Sequence, residues 1–109
     1  MKYLVVGSEG PGFGSPQEAV AVLEREILPG FEVLIRLEKE TKIVAGGLPV
    51  GEREFIFIVE AASNEELDLL LRGMPMWGAL KWKVTPLQSF ESRAAYERQV
   101  VKQLKRAKR

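Results

Sequence analysis

Five consecutive apolar residues, Phe55-Ile56-Phe57-Ile58-Val59, run through the middle of the chain between Glu54 and Glu60. Successive side chains of a strand point to opposite faces. Phe55, Phe57 and Val59 therefore share one face, and Ile56 and Ile58 share the other. A strand apolar on both sides has to be covered on both sides. With 109 residues the chain is one domain with room for one core, so material for two covers is short.

The remaining elements follow from periodicity and end signals. Lys2 to Gly7 is apolar on both alternating faces and predicts a second buried strand. Ser15-Pro16-Gln17-Glu18 is a capping box with proline at the first helical position. Val20, Leu23, Ile27, Phe31, Leu34 and Leu37 then recur at helical spacing, which carries the helix to about Lys39. Pro29-Gly30 sits inside it and predicts a kink or interruption, since proline removes a hydrogen bond and crowds the preceding turn.

Lys42 to Ala45 predicts a short strand, and Gly46 to Gly51 a hairpin loop leading into the strand Glu54 to Ala61. Ser63-Asn64-Glu65-Glu66 is a second capping box, whose helix buries Leu67, Leu70 and Leu71 and stops at Gly73. From Ala79 to Thr85 a last strand alternates Leu80, Trp82 and Val84 with Lys81, Lys83 and Thr85. Phe90 to about Arg106 predicts a final helix.

The order β-α-β-β-α-β makes two split units on one antiparallel sheet, a ferredoxin-like α+β domain over residues 1–109 with strand order 4-1-3-2. Two helices cover one sheet face. The simplest cover for the other is the same face of a second copy, giving a dimeric α/β barrel. Residues 90–109 form a basic C-terminal helix or tail.

Composition prunes the chemistry. Cysteine and histidine are both absent, which removes disulfides, thiol and Ser-His nucleophile systems, and His-ligated metals. No metal site or cofactor is predicted. An acid or base has to be Glu, Asp, Lys or Tyr. No run approaches a bilayer-spanning length, and the short apolar N-terminal segment predicts a strand rather than a leader, so the expected location is the cytoplasm, away from any membrane.

The net charge of +1 hides an asymmetry. Residues 1–92 carry nine cations and fourteen carboxylates, a net of −5, and residues 93–109 carry seven and one, a net of +6. The tail lacks the interleaved aromatics or motif of a nucleic-acid reader, so no nucleic acid is expected. It is predicted instead to lie against the acidic body of a partner subunit.

Candidate site residues are few. Glu54 and Glu60 share one face of the central strand, and either can act as a base in proton transfer if the barrel shields it from water. Arg53, Lys81 and Lys83 can stabilise an anion or enolate, and Tyr3 can polarise a carbonyl or simply fill the core. Phe13, in the glycine loop Gly7 to Gly14, is a possible lid. Met76 and Trp77, just after the second helix with Met74, suit a soft pocket wall. The loop is no dinucleotide fingerprint, because Gly10-Pro11-Gly12-Phe13-Gly14-Ser15 has serine at the third glycine position.

Val44-Ala45-Gly46-Gly47, Glu60 to Leu71, and Met74-Pro75-Met76-Trp77 leading into Trp82-Lys83-Val84-Thr85-Pro86-Leu87 resemble the muconolactone isomerase-like group of dimeric α/β-barrel proteins. The resemblance implies ferredoxin-like protomers, a two-fold barrel that assembles into homo-oligomers, and small-molecule pockets between sheet and helices. It also implies a cofactor-free isomerase or lyase that moves a proton within a small oxygenated molecule. A non-enzymatic ligand-binding module or a purely structural oligomer is the alternative. The chain departs from the named enzyme by lacking histidine and by having Ile43-Val44-Ala45-Gly46-Gly47-Leu48-Pro49, where that enzyme is richer in polar and aromatic side chains.

Overall fold

A computed structural model describes residues 1–9 and 12–107. Gly10 and Pro11 of the glycine loop, and Lys108 and Arg109 of the tail, lie outside the described residues. The elements are β1 (Lys2–Glu9), α1 (Pro16–Val22), a π-helical turn (Leu23–Ile27), α2 (Leu28–Lys39), β2 (Ile43–Gly47), β3 (Glu54–Glu60), α3 (Asn64–Arg72), a 3-10 turn (Trp77–Ala79), β4 (Leu80–Leu87) and α4 (Phe90–Ala107). The strands form one antiparallel sheet in the order β2-β3-β1-β4, the predicted order read from the other edge.

Parity sorts the sheet into two faces. Val5 pairs with Phe57 and with Val84, and Tyr3 with Val59, so these side chains share the helix-covered face. Tyr3, Val5, Phe57 and Val59 build the core with Ile27, Leu37, Leu67, Leu71, Met74 and Met76, while Val84 on the edge strand stays exposed outside it. The Tyr3 hydroxyl is satisfied by donating to Asn64 Oδ1 at 2.6 Å, which pins the strand to the first turn of α3. Both predicted N-caps form: the backbone N–H groups of Glu18 and Glu66 donate to the Oγ atoms of Ser15 and Ser63.

Leu4, Val6, Ile56 and Ile58 occupy the opposite face, away from α1, α2 and α3. Lys83 pairs with Val6 and Lys81 with Ser8, so both lysines stand on this open face, as their alternation predicted. Among the described residues the central strand thus has one cover and lacks the other.

Pro29 does not break the first long helix. Instead, the turn immediately before it widens to π geometry, with the Leu28 N–H donating to the Leu23 carbonyl. A wider turn relieves the clash that a proline ring makes with the carbonyl four residues earlier. Gly30, at the same point, lets the helix sit directly on the buried Met76 side chain.

α4 departs from this compact scheme. None of its residues is buried, and Phe90, Tyr96, Val101 and Leu104 are all largely exposed. It carries the molecule to 71 Å in length against 29 × 25 Å in cross-section.

Candidate functional site

Where β1 ends and β3 begins, the helix-facing side of the sheet meets the π-helical turn. Glu9 and Arg53 extend the odd-numbered faces of their strands, so both side chains emerge at this rim. Arg53 Nη1 donates to Glu9 Oε2 at 2.9 Å, and the Glu9 backbone N–H donates to the Arg53 carbonyl at 3.3 Å. The Arg53 guanidinium also lies 5.3 Å from the centre of the Phe13 ring, within cation–π range.

Below this trio is a pocket of about 230 Å³ lined by Glu9, Phe13, Leu23, Ile27, Phe31, Leu48, Glu52, Arg53 and Phe55. Phe31 and Phe55 stack at 5.1 Å with a tilt of 53°, forming an aromatic floor. Leu23 and Ile27 come from the π-helical turn, so the widening forced by Pro29 shapes the wall. A neighbouring cleft of about 100 Å³ shares Phe31, Leu48 and Phe55 and prolongs the apolar channel toward Gly46 and Gly47. An aromatic floor, two carboxylates and one guanidinium can hold a flat, oxygenated molecule and exchange a proton with it.

Sequence reasoning placed Phe13 and Arg53 among the ligand contacts, and the structure brings these two together. Glu9 and Glu52 were missed. The signal for Glu9 was its parity: it continues the Tyr3, Val5, Gly7 series onto the same face as Arg53.

The other candidates are dispersed. Glu54 and Glu60 lie six residues apart on the open face, about 20 Å along the strand, so they do not share one site. Glu54 sits in one cross-strand row with Ser8 and Lys81, and Lys83 lies one row further in. Glu60 is paired with Lys2 and lines an open-face cleft of about 580 Å³ with Val44, Ile58, Leu87 and Phe90. Met76 is completely buried against Gly30, so it packs the core rather than lining a cleft. Trp77 is held at the surface, its ring under the Arg72 guanidinium at 5.0 Å and its carbonyl accepting from Trp82 Nε1 at 2.9 Å.

Residues 15–93 match the family model for muconolactone delta-isomerase. The chain belongs to the muconolactone delta-isomerase family. Among solved structures, muconolactone isomerase superposes with a TM-score of 0.66 at 19% identity, over 82% of this chain and 90% of its own. The 5-chloro-2-hydroxyhydroquinone dehydrochlorinase of Burkholderia phenoliruptrix, in complex with 2,5-dihydroxybenzoquinone, superposes with a TM-score of 0.60 at 21% identity, over 84% of this chain and 98% of its own. No curated protein sequence matches the chain. Among the described residues, no helix is long and apolar enough to cross a membrane. The family match stops at residue 93, so most of α4 lies beyond it.

Proposed function

We propose that this chain is a cofactor-independent isomerase or lyase that transfers a proton within a small, cyclic, oxygenated molecule bound at the Phe13–Arg53 rim pocket. The observation that carries the reading is the Arg53–Glu9 pair set over an aromatic floor. Membership of the isomerase family supports the reaction class, and a dehydrochlorinase with the same fold fits the lyase variant.

In this reading Glu9, held by Arg53 at the pocket mouth, is the base. Its carboxylate takes the proton from the carbon next to a carbonyl, and the C–H electron pair moves onto the carbonyl oxygen. Arg53 stabilises that oxyanion, as a preorganised cation does wherever charge develops. The same carboxylic acid returns the proton two carbons further along the conjugated system, so nothing is oxidised or reduced. Where the substrate carries a leaving group at the adjacent carbon, the enolate expels it instead. Phe13 and Phe31 shield the ring from water.

The open face is completed in the proposed assembly by a second copy, which supplies the missing cover for Leu4, Val6, Ile56 and Ile58. The site itself lies on the helix side and within one protomer.

Muconolactone in deuterated buffer is the first probe. Exchange of its ring hydrogens, followed by proton NMR, should occur with the wild-type chain and fall at least 100-fold in Glu9→Gln, in the range expected for removing a general base. Exchange unaffected by Glu9→Gln overturns the assignment of the base. A thermal shift with muconolactone but no exchange would make the chain a binding module instead.

A further inference from the structure

The rim pocket does not end at its aromatic floor. Phe31, Leu48 and Phe55 also line the cleft of about 100 Å³ beyond it, so the two cavities meet at these three side chains. Phe31, Leu34, Ile35 and Glu38 recur at spacings of three and four on α2 and line the cleft from one side of that helix. The end of β2 lines it from the sheet. Gly46 pairs with Phe57, whose side chain lies in the helix-covered core, so a side chain at position 46 would point the same way. Its first carbon would lie 2.7 Å from the Phe57 Cβ and 2.7 Å from the Ile56 carbonyl oxygen. Glycine is therefore required here, and β2 sends no side chain from this position toward α2.

Charge decides what can enter. Among the described residues lining the two cavities, Glu9, Glu38 and Glu52 are carboxylates, and Arg53 is the one cation, already paired with Glu9. Glu38 is the only charged residue lining the cleft itself. A carboxylate carried into the cleft leaves Arg53 behind, loses water and meets Glu38. An apolar group meets Phe31, Leu34, Ile35 and Leu48 instead, and gains by leaving water. At roughly 30 Å³ for a water-sized group, the volume admits about three such groups.

We infer that the substrate is an uncharged cyclic carbonyl compound bearing a short alkyl substituent, its ring over Phe31 and Phe55 in the rim pocket and its substituent in the cleft between α2 and Gly46. Leu48, which lines both cavities, sits at the junction of ring and substituent. Glu38 selects against acidic side arms. The inference rests on the reading of the rim pocket as the reaction site, and it adds the substrate class to that reading.

The test compares two lactones of one shape: muconolactone, whose ring carries a carboxymethyl group, and its counterpart with isobutyl in that place. Calorimetry on the full chain should show the isobutyl lactone binding about tenfold tighter or better. Glu38→Lys, at an exposed position, should tighten muconolactone several-fold and close part of that gap. Ile35 lines the cleft and is 50% exposed, so Ile35→Trp should narrow the cleft without disturbing the core. It should weaken the isobutyl lactone about tenfold and leave the affinity for the bare butenolide ring unchanged. Muconolactone binding as tightly as the isobutyl lactone, with both exchanging ring hydrogens in a Glu9-dependent way, overturns the inference and leaves the rim-pocket reaction standing. Tight, Ile35-dependent binding of the isobutyl lactone without exchange supports the subsite and overturns the reaction instead. Ile35→Trp that lowers the mass in solution while both affinities stay unchanged also overturns the inference, because the cleft then receives a second copy. Absence of binding by either lactone overturns both readings.

Discussion

Arg53 and Glu9 face each other across the β1–β3 rim at 2.9 Å, yet the arginine side chain remains 61% exposed while the glutamate is only 21% exposed. An exposed pair adds little to folding, typically below about 1 kcal/mol. The pair therefore has more to give a ligand than the fold. Arg53→Ala should leave the melting temperature within a few degrees of wild type. Its affinity for muconolactone should fall roughly 10- to 100-fold, the effect of losing one charge-assisted hydrogen bond. Calorimetry of binding beside thermal unfolding separates the two effects.

Phe13 and Phe55 line the same pocket but differ in what else they do. Phe55 is 4% exposed within the core, and truncating such a ring costs about 3–5 kcal/mol. Phe13 is half-buried in the loop and touches Arg53, with no place in the core cluster. Phe55→Ala should lower the urea midpoint sharply. Phe13→Ala should leave the midpoint unchanged and weaken ligand binding alone, checked by denaturation and titration on the same samples.

The open face gives an assembly test of its own. Ile58 lies on β3 opposite Leu4, in the apolar patch of the open face and beside the cleft that Phe90 also lines. Ile58 has no place in the helix-covered core, so with Ile58→Lys the protomer should fold with near wild-type secondary structure. If a second copy sits on this face, the buried lysine should separate the copies, since an unpaired charge at an interface core is costly. Analytical ultracentrifugation should then report a lighter particle. Circular dichroism confirms that folding is intact.

Patterning alone was enough for the fold. The doubly apolar β3 and the alternation of Leu80, Trp82 and Val84 against Lys81 and Lys83 set strand parity, and two capping boxes set helix starts. The site was harder to read, because it depends on what a strand end meets and not on its own pattern. Glu54 and Glu60 stood out as charges bounding an apolar run, yet their even parity sends them to the uncovered face. Glu9 escaped notice because β1 was expected to end at Gly7, two residues early. The π-helical turn was equally hidden: Pro29 announces a local conflict, but the pattern alone does not say whether the helix widens or breaks there.

One residue in the described chain is strained in a way that offers a stabilising change. Thr41 has φ of 62°, the left-handed region that a β-branched side chain enters at a cost of about 1–2 kcal/mol. It follows α2 in a Schellman motif, with the Lys42 N–H donating to the Leu37 carbonyl at 3.0 Å and the Thr41 N–H to that of Glu38 at 3.1 Å. Glycine is the residue this position ordinarily takes. The Thr41 side chain is exposed, and its hydroxyl donates only to the adjacent Glu40 carbonyl. Thr41→Gly should therefore raise stability by about 1 kcal/mol, after the extra freedom of glycine in the unfolded chain offsets part of the relieved strain. Urea unfolding should show a higher midpoint with an unchanged slope. A lower midpoint would mean that the hydroxyl contact outweighs the backbone strain.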